Sequence, residues 1–157
     1  MNSLKDKAFK YANENTLIFI IFFVVLRVLL AIFFSILLSY YDHEPLGGAS
    51  FDSLIEEFLL AVCIAPFFET YLCQYIPFHY LSKYIRARYI ILLSSLLFGS
   101  FHLAYSLPYF VNAFFAGMIY AMAFFLKRQS RPLIYTAIIH AAYNLIGFID
   151  NWINMLK

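Results

Sequence analysis

Three polar groupings interrupt segments that are otherwise apolar enough to cross a bilayer: Glu69-Thr70-Tyr71-Leu72-Cys73-Gln74, Phe98-Gly99-Ser100-Phe101-His102 and His140-Ala141-Ala142-Tyr143-Asn144. An ionisable side chain in hydrocarbon costs about 2.5–3.5 kcal/mol even on lenient insertion scales, so a Glu and two His held there imply a shared purpose. The purpose these residue types fit is acid–base catalysis. A carboxyl buried by itself keeps its proton and is no base at neutral pH, whereas a neighbouring imidazole can hold that proton or donate to the carboxylate.

The elements that must position these groups follow from composition and patterning. In 157 residues, 64% are hydrophobic and 13% charged, with a mean hydropathy of +0.78. That leaves too little polar surface to wrap a water-soluble globule, and the reading is an all-α, polytopic transmembrane bundle in the cell membrane. A net charge of +2 excludes nucleic acid as a partner, and the lipid bilayer takes its place. Residues 1–15 are polar and basic, with Leu4 to Tyr11 suited to a short interfacial helix. Residues 16–157 form a single transmembrane domain of about five spans: Thr16 to Tyr41, Leu54 to Phe78, Tyr89 to Leu107, Tyr109 to Leu126, and Pro132 to about Asp150.

Prolines punctuate this pattern. Pro66 and Pro77 are expected to break the second span, Pro108 to mark a tight reversal, and Pro132 to open the fifth span in its first turn. Pro45, Gly47 and Gly48 sit in a loop over Asp42 to Ser50. The amino terminus and the connectors holding Lys83, Arg86, Arg88 and Lys127, Arg128, Arg131 are basic, which predicts a cytoplasmic amino terminus. Cys63 and Cys73 lie ten residues apart on one helix, roughly 15 Å along its axis, and are expected to remain unpaired.

Counted from the cytoplasmic ends at about 1.5 Å per residue, Glu69 lies roughly 13 Å deep, His140 about 12, Asn144 about 18 and His102 about 20. One cluster can therefore hold all four. Residues four apart share a helix face, which places Phe98 beside His102 and His140 beside Asn144. Ser94, Ser95, Gly99, Ser100 and Ala113, Ala116, Gly117 are small enough to let two backbones approach closely. Arg27, in the middle of the first span, is expected to contact a polar group or to reach a lipid headgroup. Contact with Glu69 would compete with that residue's use as a base.

In this order, each on its own span, the motifs resemble those of the CPBP family of intramembrane proteases. That family includes CAAX-processing endopeptidases, which trim prenylated proteins, and bacterial members linked to bacteriocin processing and self-immunity. The resemblance covers about residues 65–148. Its first motif, Glu-Glu-x-x-x-Arg, here reads Glu69-Thr70-x-x-x-Gln74, so a Thr and a Gln stand where a Glu and an Arg would pair; a neutral Thr70–Gln74 hydrogen bond is the expected replacement. Glu56-Glu57 is a decoy, with Ala at position 61.

The resemblance implies an endopeptidase acting on a peptide or lipid-linked protein. Glu69 and His102 would activate the water, His140 and Asn144 would stabilise the oxyanion, and Thr70, Gln74 and Phe98 would support them. Two cofactor states stay open: none, or one divalent metal such as zinc, ligated by Glu69, His102 and His140. Other readings are a non-cleaving relative acting as a bacteriocin-immunity or regulatory binding protein, a b-type cytochrome with His102 and His140 on either side of a haem, and a small transporter. Asn144 also suits a structural tie between helices, and His43 and His79 lie at span ends.

Overall fold

A computed structural model describes residues 7, 10, 14–40 and 49–157. The interfacial helix expected over Leu4 to Tyr11 lies outside these residues except at positions 7 and 10, and the loop expected over Asp42 to Ser50 lies outside them except at Ala49 and Ser50. His43 is also outside. All described regular structure is helical, in five rods: α1 (Thr16–Tyr40), α2 (Leu54–Leu81), α3 (Ala87–Phe101), α4 (Leu107–Leu126) and α5 (Pro132–Met155). Four are long and apolar enough to cross a membrane, and α3 is a shorter apolar helix of 15 residues.

Apolar side chains cover the outside as well as the inside. On α1, Leu17, Ile21, Phe22, Leu29, Phe33 and Ile36 are more than half exposed, a surface that only lipid makes favourable. Inside, Phe19 and Phe23 of α1, Cys73 of α2, Phe98 of α3, Ala116 and Tyr120 of α4 and Ile139 of α5 form one core cluster. Cys63 and Cys73 are both free thiols, as their spacing requires.

The closest approach is between α3 and α4. A Cβ built on Gly117 would stand 2.9 Å from the Cα of Ser95 and 3.0 Å from the Cβ of Phe98, so only glycine permits this contact. At one end of the bundle the buried Lys127 donates to the Thr16 hydroxyl at 2.7 Å and lies over the ring of Tyr135, 4.6 Å from its centre. This clasp brings together the start of α1, the end of α4 and the start of α5.

The second and third spans differ most from the sequence reading, while the fourth opens at Leu107 rather than Tyr109 and the fifth runs to Met155 rather than ending near Asp150. The second is not broken at its prolines but runs on as one rod, absorbing each through a π-helical stretch: Phe58–Ile64 before Pro66, and Tyr71–Tyr75 before Pro77. A proline ring clashes with the carbonyl four residues back, and a wider turn relieves that clash without ending the helix. The last π bonds run from the N–H groups of Ala65 and Ile76 to the carbonyls of Leu60 and Tyr71, each one residue before the proline.

The third span ends at Phe101 rather than Leu107. His102 closes it: its backbone N–H turns to the carbonyl of Gly99 at 2.8 Å, and its side chain takes the carbonyl of Phe98 at 2.9 Å. A histidine that caps the last carbonyls stops the helix even though the following residues remain apolar. Ser106 then opens α4, its hydroxyl accepting from the Tyr109 N–H at 3.1 Å, with Pro108 in the first turn.

Candidate active site

Glu69, His102, His140 and Asn144 line one pocket of about 560 Å³, together with Arg27 from α1 and Tyr109, Asn112 and Tyr120 from α4. Glu69 stands on the α-helical piece Ala65–Thr70, held between the two π-helical stretches of α2. Its Oε2 is 3.8 Å from Nε2 of His140. That is within ion-pair range but too long for a direct hydrogen bond, so the two groups flank a space rather than satisfy each other.

The two imidazoles are held in similar ways and set up oppositely. Each stacks on a tyrosine of α4: His102 on Tyr109 at 5.2 Å and 8°, His140 on Tyr120 at 4.5 Å and 27°. Phe98 packs against both, with centroids at 5.0 and 5.5 Å. Because the Phe98 carbonyl can only accept, His102 carries its proton on Nδ1, and Nε2 keeps its lone pair. In the buried His140, Nδ1 has no partner. Its Nε2 is the atom nearer Glu69, so the two rings turn different nitrogens to their neighbours: Nδ1 of His102 to a carbonyl and Nε2 of His140 toward a carboxylate.

Asn144 is fixed from across the bundle. Its Nδ2 donates to the carbonyl of Ala61 at 2.7 Å. Continuing the π-helical ladder would send the amide of residue 66 to that carbonyl, but Pro66 has no amide hydrogen. The proline leaves an acceptor that Asn144 fills. This gives Asn144 the tying role that its residue type suggested, while its second N–H remains uncommitted.

The expected Thr70–Gln74 bond does not form. Both side chains are buried, yet Thr70 Oγ1 and both polar atoms of Gln74 have no hydrogen-bond partner. The intervening turn is π-helical, with i→i+5 bonds, so the side chains do not keep the α-helical register that the sequence suggested. Glu57 lies at the pocket's edge, where its carboxylate accepts from Asn151 at 2.9 Å.

Sequence reasoning did not see the aim of Arg27. The side chain neither reaches a headgroup nor pairs with Glu69: it is 6% exposed, lines the pocket, and places its guanidinium 3.8 Å from the centre of the Tyr143 ring. A cation over an aromatic face contributes roughly 0.5–2 kcal/mol. Holding a charge at such depth costs about 2.5–3.5 kcal/mol, so this contact alone does not offset burial. A charged residue in mid-span was the available signal. Tyr109 and Tyr120 carried none, since the chain has 13 Tyr and 19 Phe.

Among the described residues no three His, Cys, Asp or Glu side chains converge closely enough to hold a metal ion. The Nδ1 of His102 is committed to a backbone carbonyl, which leaves its Nε2 uncommitted, and no step below is routed through a metal.

Residues 51–146 match the family model described as type II CAAX prenyl endopeptidase Rce1-like. No curated protein and no solved structure matches the chain.

Proposed function

Because the chain belongs to the Rce1-like family of type II CAAX prenyl endopeptidases and is a multi-pass membrane protein, we propose that this pocket cuts a peptide bond of a prenylated, membrane-held substrate. A water donates one hydrogen to the Glu69 carboxylate and the other to Nε2 of His102, which turns its lone pair toward the substrate carbonyl. Glu69 takes the proton as the new C–O bond forms and returns it to the leaving nitrogen as the C–N bond breaks. The Nε2–H of His140 and the free N–H of Asn144 face the developing oxyanion. Tyr109, Tyr120 and Phe98 hold the two rings in place. The meeting of Glu69, His102, His140 and Asn144 in one pocket supports this reading, since the reaction needs a base and an acceptor for the water and donors for the oxygen.

The test uses the purified full-length chain in detergent micelles and a fluorescent prenylated peptide ending in cysteine and three further residues. A single cut, located by mass spectrometry and unaffected by 1,10-phenanthroline or EDTA, is expected. A peptide that binds and is never cut overturns hydrolysis, and loss of cutting on chelation with recovery on zinc overturns the metal-free route.

A further inference from the structure

The pocket contains one cation that these steps do not use. Arg27 comes from α1, outside the residues that match the family model, and is the only Lys or Arg among the described residues lining the pocket. Its Nε and Nη1 have no hydrogen-bond partner, and among the described residues no carboxylate lies within ion-pairing distance of it. Tyr143 covers one face of the guanidinium, which leaves the in-plane N–H groups to a ligand. A guanidinium presents its N–H groups in pairs, Nε with Nη2 along one edge and Nη1 with Nη2 at the end, and either pair matches the two oxygens of a carboxylate. The Tyr120 hydroxyl, beside the Arg27 guanidinium and lining the same pocket, offers a further donor.

Resting on the reading of this pocket as a hydrolytic site, we infer that Arg27 binds the free C-terminal carboxylate of the peptide being cut. A chain end that enters an apolar pocket brings that charge with it whatever its side chains are, and an unpaired charge there is strongly disfavoured. The pocket's acids, Glu57 and Glu69, repel it, so Arg27 is the group that admits it. Anchoring the terminus on α1 while Glu69 and His102 act from α2 and α3 fixes how many residues separate the chain end from the bond that is cut. Arg27 would then set the cleavage position by counting from the terminus.

The experiment titrates Glu69→Gln protein, which keeps the pocket but lacks the base, with three forms of the prenylated peptide: free acid, C-terminal amide, and an amide whose last residue is Asp. The free acid is expected to bind about ten- to a hundredfold tighter than the plain amide, as for a charged hydrogen bond. Adding Arg27→Gln should erase the difference, and Arg27→Lys should keep part of it. Equal binding of acid and amide overturns the inference without needing any Arg27 variant to fold. A preference that survives Arg27→Gln also overturns it, and so does an Asp-ended amide that binds as well as the free acid, which would shift recognition to a side chain. Wild-type protein is assayed for cleavage of the same peptides. Cutting acid and amide alike removes the role of Arg27 and leaves hydrolysis standing, whereas carboxylate preference without any cutting removes hydrolysis and leaves the carboxylate site standing.

Discussion

Glu69→Gln is expected to reduce turnover of the prenylated peptide by about 10²–10⁴-fold, the usual worth of a positioned general base, with KM changed little. The replacement keeps size and shape and removes only the capacity to take a proton. Because the carboxylate is 3.8 Å from Nε2 of His140 and has no direct hydrogen bond to it, the fold should lose little: a stability in detergent within about 1 kcal/mol of wild type, read from the thermal midpoint. Turnover and melting are measured on the same preparation. A Gln variant that cuts within tenfold of wild type would end the assignment of Glu69 as the base.

Asn144→Ala has two consequences that can be read separately. The half-buried Ala61 carbonyl loses its donor, which costs about 1 kcal/mol of stability, as for an ordinary hydrogen bond. The oxyanion also loses a donor, worth about 10²–10³ in kcat. The expected result is a lowered melting midpoint together with a fall in kcat far larger than the unfolded fraction explains. Asn144→Asp sharpens the comparison, since it sets an acceptor against the Ala61 carbonyl while keeping the volume. If kcat followed only the folded fraction in both variants, Asn144 would be a tie between helices and nothing more.

Much of this arrangement was legible in the chain, for identifiable reasons. Thr16, Leu126 and Pro132 sit where hydropathy changes abruptly, so the ends of α1 and α4 and the start of α5 were readable within a residue. The convergence of Glu69, His102, His140 and Asn144 followed from the cost of burying them and from their four-residue spacing. The rest depends on features that hydropathy does not encode. The early end of α3 comes from an imidazole capping a carbonyl, amid residues as apolar as a span. The continuity of α2 comes from two π-helical stretches, where proline alone suggested breaks. The direction of Arg27 depends on which face of α1 meets α5, and on α1 apolar residues surround the helix on every side.

Under the proposed mechanism, the union of Pro66 with Asn144 would set durability against turnover. By intrinsic propensity, a proline inside a membrane rod is a flaw of about 3 kcal/mol and alanine its natural repair. Here the repair would restore an amide hydrogen at position 66 that competes for the Ala61 oxygen and evicts the asparagine from its socket. A chain selected only to withstand heat would discard this imino acid. A chain selected to keep cutting would retain it.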